Sequence, residues 1–202
     1  MSDKYTLSVD VEATITGNVC VYQQIPNLND YNILTLAWLS KRVHPSTQVI
    51  FEWTIDYNLT WGTQGSFGNG ATFEASQTVD ANLTTLNQID FDYTDGAYNF
   101  GAPNQNPDGA DNLYINQGAN VRSNDALVGV GMSGAGTFVV KSQPNLRVIF
   151  HPKPTYYIVF GDFIQGQVMD ITELTNSQKI VFNGTTDKAL KLTSQNTWQD
   201  VS

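Results

Sequence analysis

The chain has 202 residues, 41% of them apolar and 14% charged, with a single cysteine and a net charge of −9. One β domain of this length hides roughly 70% of the surface its unfolded form exposes, so it needs neither disulfide nor metal to be stable. No Lys or Arg lies between Arg42 and Arg122, a span that holds nine acidic residues, and such a segment repels nucleic-acid phosphates and anionic membranes.

In chain order, Tyr5, Leu7, Val9, Val11 and Ala13 alternate with polar residues, the period of a half-buried strand. Asn18 to Gln24 follows the turn signal Thr16-Gly17-Asn18 and reads as a second strand. The apolar run Leu34 to Leu39 predicts one short buried strand. The clearest element is Val49 to Tyr57. It places Val49, Phe51, Trp53, Ile55 and Tyr57 on one face, and Ile50, Glu52, Thr54, Asp56 and Asn58 on the other. Further strands are predicted over 60–64, 71–77, 88–93, 113–116, 127–132, 137–142, 147–150, 156–160, 179–182, 189–193 and 197–201. Asp170 to Ser177 is the one segment predicted to make a helical turn. Many short strands punctuated by Gly, Asn and Pro predict an all-β fold. The expected architecture is an antiparallel two-sheet, jelly-roll-like sandwich, formed as a single domain over residues 1–202.

Each chemistry-bearing pattern has a plainer alternative. Gly129-Val130-Gly131-Met132-Ser133-Gly134 matches a dinucleotide fingerprint, but Thr137-Phe138-Val139-Val140 follows as strand, so a hairpin is expected. Asn104, Asn106, Asp108 and Asp111 place oxygens in a loop resembling the start of a calcium site. Position 12 should be Glu and is Ile115, so the pattern fails where a bidentate ligand is required. If calcium binds, those four residues are the expected ligands; otherwise no cofactor is expected. Asp90 and Asp92 share one strand face, as a catalytic carboxylate pair would. The alternation instead turns Ile89, Phe91 and Tyr93 inward and leaves the aspartates solvated. Cys20 sits between two valines and is expected to be a buried hydrophobe; a dyad with His44 or His151 has only residue type in its favour. Trp61, Tyr98, Tyr114 and Trp198 fall near turns or in weakly patterned segments. One or two of them are expected to stand exposed, and Trp61, Tyr98 and Tyr114 are the candidate sugar-stacking or subunit-contact rings.

Several stretches resemble the rhizosphere-induced protein (RhiA-like) family of bacteria. They are Leu36-Ala37-Trp38-Leu39, Phe51-Glu52-Trp53-Thr54-Ile55-Asp56-Tyr57, the glycine run Gly129 to Phe138, Gln143-Pro144-Asn145-Leu146 and Phe163 to Asp170. The likeness spans most of the chain and is weakest over 78–122. It implies an abundant bacterial protein made at high cell density or near a host. It implies no activity, cofactor or catalytic residue, so no functional residue carries over.

The chain lacks a leader-like start and any run near the roughly 20 apolar residues of a membrane helix. A cytoplasmic location is expected, with any release following a route that lacks a signal peptide. The expected function is non-enzymatic: a structural protein that self-assembles into a homo-oligomer, filament or inclusion, because sheet edges are ready pairing sites. The acidic middle is expected to meet less acidic surface on the next copy. A lectin-like carbohydrate-binding module and a calcium-dependent binding protein are the alternatives. Neither nucleic acid nor membrane insertion is expected.

Overall fold

The computed structural model describes residues 3–24, 32–63, 68–107, 109–153 and 155–201. They are all-β, with no helix among them. The first nine strands are β1 (Lys4–Val11), β2 (Gly17–Gln24), β3 (Leu34–Leu36), β4 (Leu39–Val43), β5 (Thr47–Thr54), β6 (Tyr57–Gly62), β7 (Gln77–Ala81), β8 (Gln88–Thr94) and β9 (Ala97–Phe100). The second nine are β10 (Leu113–Gln117), β11 (Leu127–Met132), β12 (Ala135–Lys141), β13 (Arg147–Phe150), β14 (Thr155–Gly161), β15 (Val168–Met169), β16 (Gln178–Ile180), β17 (Asp187–Leu192) and β18 (Trp198–Asp200).

Four sheets form where two were expected. Their orders are β18-β17-β1-β5, β16-β14-β2-β4, β15-β3-β12-β11-β6-β7 and β13-β10-β8-β9, here the first to fourth sheets. Pairing is antiparallel except for β1 with β17 and β8 with β10. One core joins the first and second sheets through Leu7, Val9, Phe51, Trp53, Val21 and Ile158. A second core joins the third and fourth through Leu59, Val130, Phe138, Ile89, Phe91 and Ile115. Half-buried Tyr57 packs against both cores. The indole N–H of Trp38, in the first core, donates to Met132 O of β11 at 2.9 Å.

Two segments each predicted as one strand change sheet partway. Leu34 to Leu39 is not one strand: β3 lies in the third sheet, Ala37 and Trp38 cross, and β4 continues in the second. Likewise β5 ends at Thr54, Ile55 and Asp56 connect, and β6 begins at Tyr57 in the third sheet. Within β5 the expected faces hold, with Val49, Phe51 and Trp53 buried and Glu52 exposed; beyond its end Ile55 and Tyr57 are only half-buried and Asn58, expected on the polar face, is buried.

The outer faces of the second and third sheets are roofed. Phe163, Ile171 and Leu174 cover Tyr22 and Val159, and Phe73 covers Leu36 and Val139. The predicted strand over 71–77 is therefore mostly a roof, held by Phe73 N–H to Gly166 O and Val168 N–H to Ala71 O. The predicted helical turn at Asp170 is a side-chain-capped turn, in which Asp170 Oδ1 accepts from Thr172 N–H and Oγ–H.

Candidate functional site

The sequence-predicted ring platform is not exposed. Trp61, Tyr98 and Tyr114 are 8%, 6% and 6% exposed. Trp61 and Tyr98 belong to the second core, where both pack around Phe91. The Tyr98 hydroxyl donates to Asp125 at 2.9 Å, and burial, aided by that bond, pushes its pKa up to about 12. Tyr114 faces the other side of the fourth sheet, but Arg147 lies 4.6 Å above its ring and Gly109 abuts its hydroxyl. These rings offer no open face for a sugar. Trp198 is half-buried and its N–H donates to Asn176 O.

Asn104 and Asn106 of the oxygen-rich loop bond to neighbouring residues of the fold. Asn104 pairs with Gln88 through both backbone and side chain. Asn106 is buried and its N–H donates to Asn87 Oδ1 at 2.7 Å. Asp111 is exposed at φ 70, and Asp108 lies outside the described residues. No group of three His, Cys, Asp or Glu suited to a metal occurs among the described residues.

The glycine run forms the β11–β12 hairpin, whose two-residue turn places Ser133 at φ 52 and Gly134 at φ 76, as a primed hairpin turn requires. Asp90 and the half-buried Asp92 lie on the outer face of the fourth sheet, with Ile89 and Phe91 buried beneath. Cys20 is fully buried on the roofed face of the second sheet, and desolvation pushes its thiol far above the usual range. Such a thiol is a poor nucleophile at neutral pH. His44 and His151 are both exposed.

Charge is less segregated in space than along the chain. Residues 55–153 hold nine acidic and four basic side chains, and the rest of the chain ten and six. The bases that follow the acidic span fold back onto it: Arg122 lies 4.1 Å above the Tyr93 ring, and Arg147 donates to Gln88 beside Asp90.

β5 is an edge strand of the first sheet. The alternation that binds Val49, Phe51 and Trp53 to β1 turns the N–H and C=O of Gln48, Ile50, Glu52 and Thr54 outward. Ser133 Oγ occupies both groups of Thr54, and Lys41 Nζ donates to Ile50 O at 2.6 Å. The outward backbone groups of Gln48 and Glu52 and the Ile50 N–H have no partner among the described residues. The Ile50 side chain beside them is 44% exposed. The sequence pattern identified the two faces of this strand, but not which of its edges would stay free.

This is an all-β protein of four sheets about two cores. The RhiA family profile matches residues 2–201, and the chain belongs to that family. It is 31% identical over 199 residues to Protein RhiA of Rhizobium leguminosarum bv. viciae, covering 96% of this chain and 85% of that protein. No solved structure matches the chain.

Proposed function

We propose that the protein is a non-enzymatic, self-associating protein that forms homo-oligomers or filaments through the β5 edge. The carrying observation is the run of outward backbone donors and acceptors from Gln48 to Glu52, beside the exposed Ile50. An unpaired edge with an apolar side chain is a template for another strand. About a centre at Ile50 the strand is self-complementary: in an antiparallel pairing of two copies, Gln48 of one faces Glu52 of the other. Lys41 guards the edge by occupying Ile50 O, so pairing exchanges one side-chain bond for a backbone ladder. This two-fold pairing uses the β5 edge of both copies and closes as a dimer, so a filament needs a second, heterologous contact.

The test is sedimentation velocity of the full chain and of Ile50→Lys over a range of concentrations. Wild type is expected to form dimers or larger species that dissociate on dilution, and the variant to stay monomeric with an unchanged circular dichroism spectrum. A wild type that remains monomeric at high concentration would overturn the proposal.

A further inference from the structure

The chain carries two Asn-Gly steps, Asn69-Gly70 and Asn183-Gly184, and all four residues are exposed. An asparagine followed by glycine is chemically labile in water, because no side chain on the glycine keeps its nitrogen away from the amide carbon one residue back. Two groups react: the Asn carboxamide, which is attacked, and the Gly main-chain nitrogen, which attacks. The two steps differ in what holds those groups.

At Asn69 both are committed. Asn69 Nδ2 donates to Asp170 Oδ2 at 2.7 Å, and Gly70 N–H donates to Val168 O at 2.9 Å. At Asn183 neither group has a partner among the described residues. That step lies in the connection from β16 to β17, where Asn183 at φ 38 and Gly184 at φ 82 form the middle of a primed turn. The turn is closed on Phe182 O by Thr185 N–H at 2.7 Å and by the Thr185 hydroxyl at 2.9 Å. Bringing Gly184 N onto Asn183 Cγ means rotating the main chain between them. Here the rotation disturbs one exposed turn. At Asn69 it must also break a bond to a carboxylate and a bond to another segment. Exposed turns of this kind open at the low end of a protein's local stabilities.

We propose that Asn183 is a site of spontaneous covalent modification, deamidating through a cyclic imide to aspartate and isoaspartate. Gly184 N gives its proton to solvent base and bonds to Asn183 Cγ; the Cγ–Nδ2 bond breaks and ammonia leaves. Water then opens the imide. Attack at Cγ yields aspartate, and attack at the main-chain carbonyl yields isoaspartate. One water is consumed and one ammonia released, with no change of oxidation state. Either product adds a negative charge to the β16–β17 connection. Isoaspartate also inserts an extra carbon into the main chain next to Phe182, whose ring packs 4.9 Å from Tyr5 and 5.7 Å from Trp53 against the first core. Isoaspartate therefore loosens that packing, whereas ordinary aspartate tolerates the left-handed backbone of the turn.

The residues involved lie outside the Gln48–Glu52 edge, so the proposal stands whether or not that edge self-associates. The test is peptide mass mapping of the full chain after ageing at mildly alkaline pH, in native buffer and in guanidinium chloride. In denaturant both Asn-Gly steps are expected to convert at similar rates. In the native chain Asn183 should convert at least about tenfold faster than Asn69, the factor set by the charge-assisted bond that Asn69 must break. Isoaspartate at position 183 is the signature of the imide, because direct hydrolysis of the amide gives aspartate alone. The isoaspartate form is expected to melt below Asn183→Asp, which carries the same charge on an ordinary main chain. The proposal is overturned if Asn183 stays an amide in the native chain while converting in denaturant, or if Asn69 converts as fast in the native chain. It is equally overturned if aspartate is the sole product, or if the isoaspartate form melts together with Asn183→Asp.

Discussion

Replacing Trp53 by Ala tests the packing of the first core. The indole is 2% exposed. It stacks on Tyr5 at 5.9 Å, and packs against Trp38 at 5.5 Å, Tyr156 at 5.1 Å and Phe182 at 5.7 Å. A buried aromatic of this kind hides about 150–250 Å². At about 25 cal/mol per Å² the whole side chain corresponds to about 4–6 kcal/mol, of which Ala retains the Cβ share. The cavity adds to the loss. Trp53 sits on a strand tied to β1 over eight register pairs, and Trp38 is anchored to Met132, so the lining cannot collapse freely. A loss of about 3–5 kcal/mol is expected, the usual range for a large core aromatic. Urea unfolding followed by far-ultraviolet circular dichroism measures it, with an unchanged m-value certifying that the same transition is compared. A loss below about 1 kcal/mol would mean that Trp53 is not tightly packed, because only a collapsible or solvated site gives so little.

Two further outcomes follow from single residues. Cys20 should resist an aqueous thiol reagent at neutral pH in the folded protein and react at once in denaturant; rapid native-state labelling would contradict its burial and raised pKa. Asp170 ties the two roof segments together: it accepts from Asn69 Nδ2 at 2.7 Å, and its bonds with Thr172 hold its pKa below the ordinary aspartate value. Its contribution is therefore complete above the unfolded value near about 4 and is lost as pH falls through the lower folded value. Hydrogen exchange at Gly70 and Val168, whose N–H groups bond across the roof, should rise in Asp170→Asn relative to wild type at neutral pH; equal protection would contradict the tie.

The alternation in Val49 to Trp53 and in Ile89 and Phe91 correctly marked buried faces, because a period of two depends only on which side of a sheet is dry. The glycine run was legible as a hairpin for a similar local reason: the strand-forming residues after Gly134 leave no helix to open. Sheet number was not legible. Leu34 to Leu39 is apolar apart from the buried Thr35, and nothing in its pattern marks Ala37 and Trp38 as a crossing, since both sheets it joins are dry there. The aromatics were misjudged for a related reason. Tyr114 lies on the outward side of its sheet, yet Arg147 and the Gly109 loop cover it, and such cover is built from residues distant in sequence. Asn58 was placed on a polar face. Its being sealed without partners depends on β7 and β11 flanking it, which no single-strand pattern encodes.

Self-association is read by sedimentation or light scattering from pH 4 to pH 8 at two salt levels and high protein concentration. Carboxylates titrate near about pH 4–5 and surface charges are screened over about 8–10 Å at ordinary ionic strength, so the size of the assembly should shift across that window and with salt. Species larger than the monomer are expected, with a size that changes as the carboxylates titrate, reverting to monomer in Ile50→Lys. A strict monomer at every pH, salt level and concentration would contradict it.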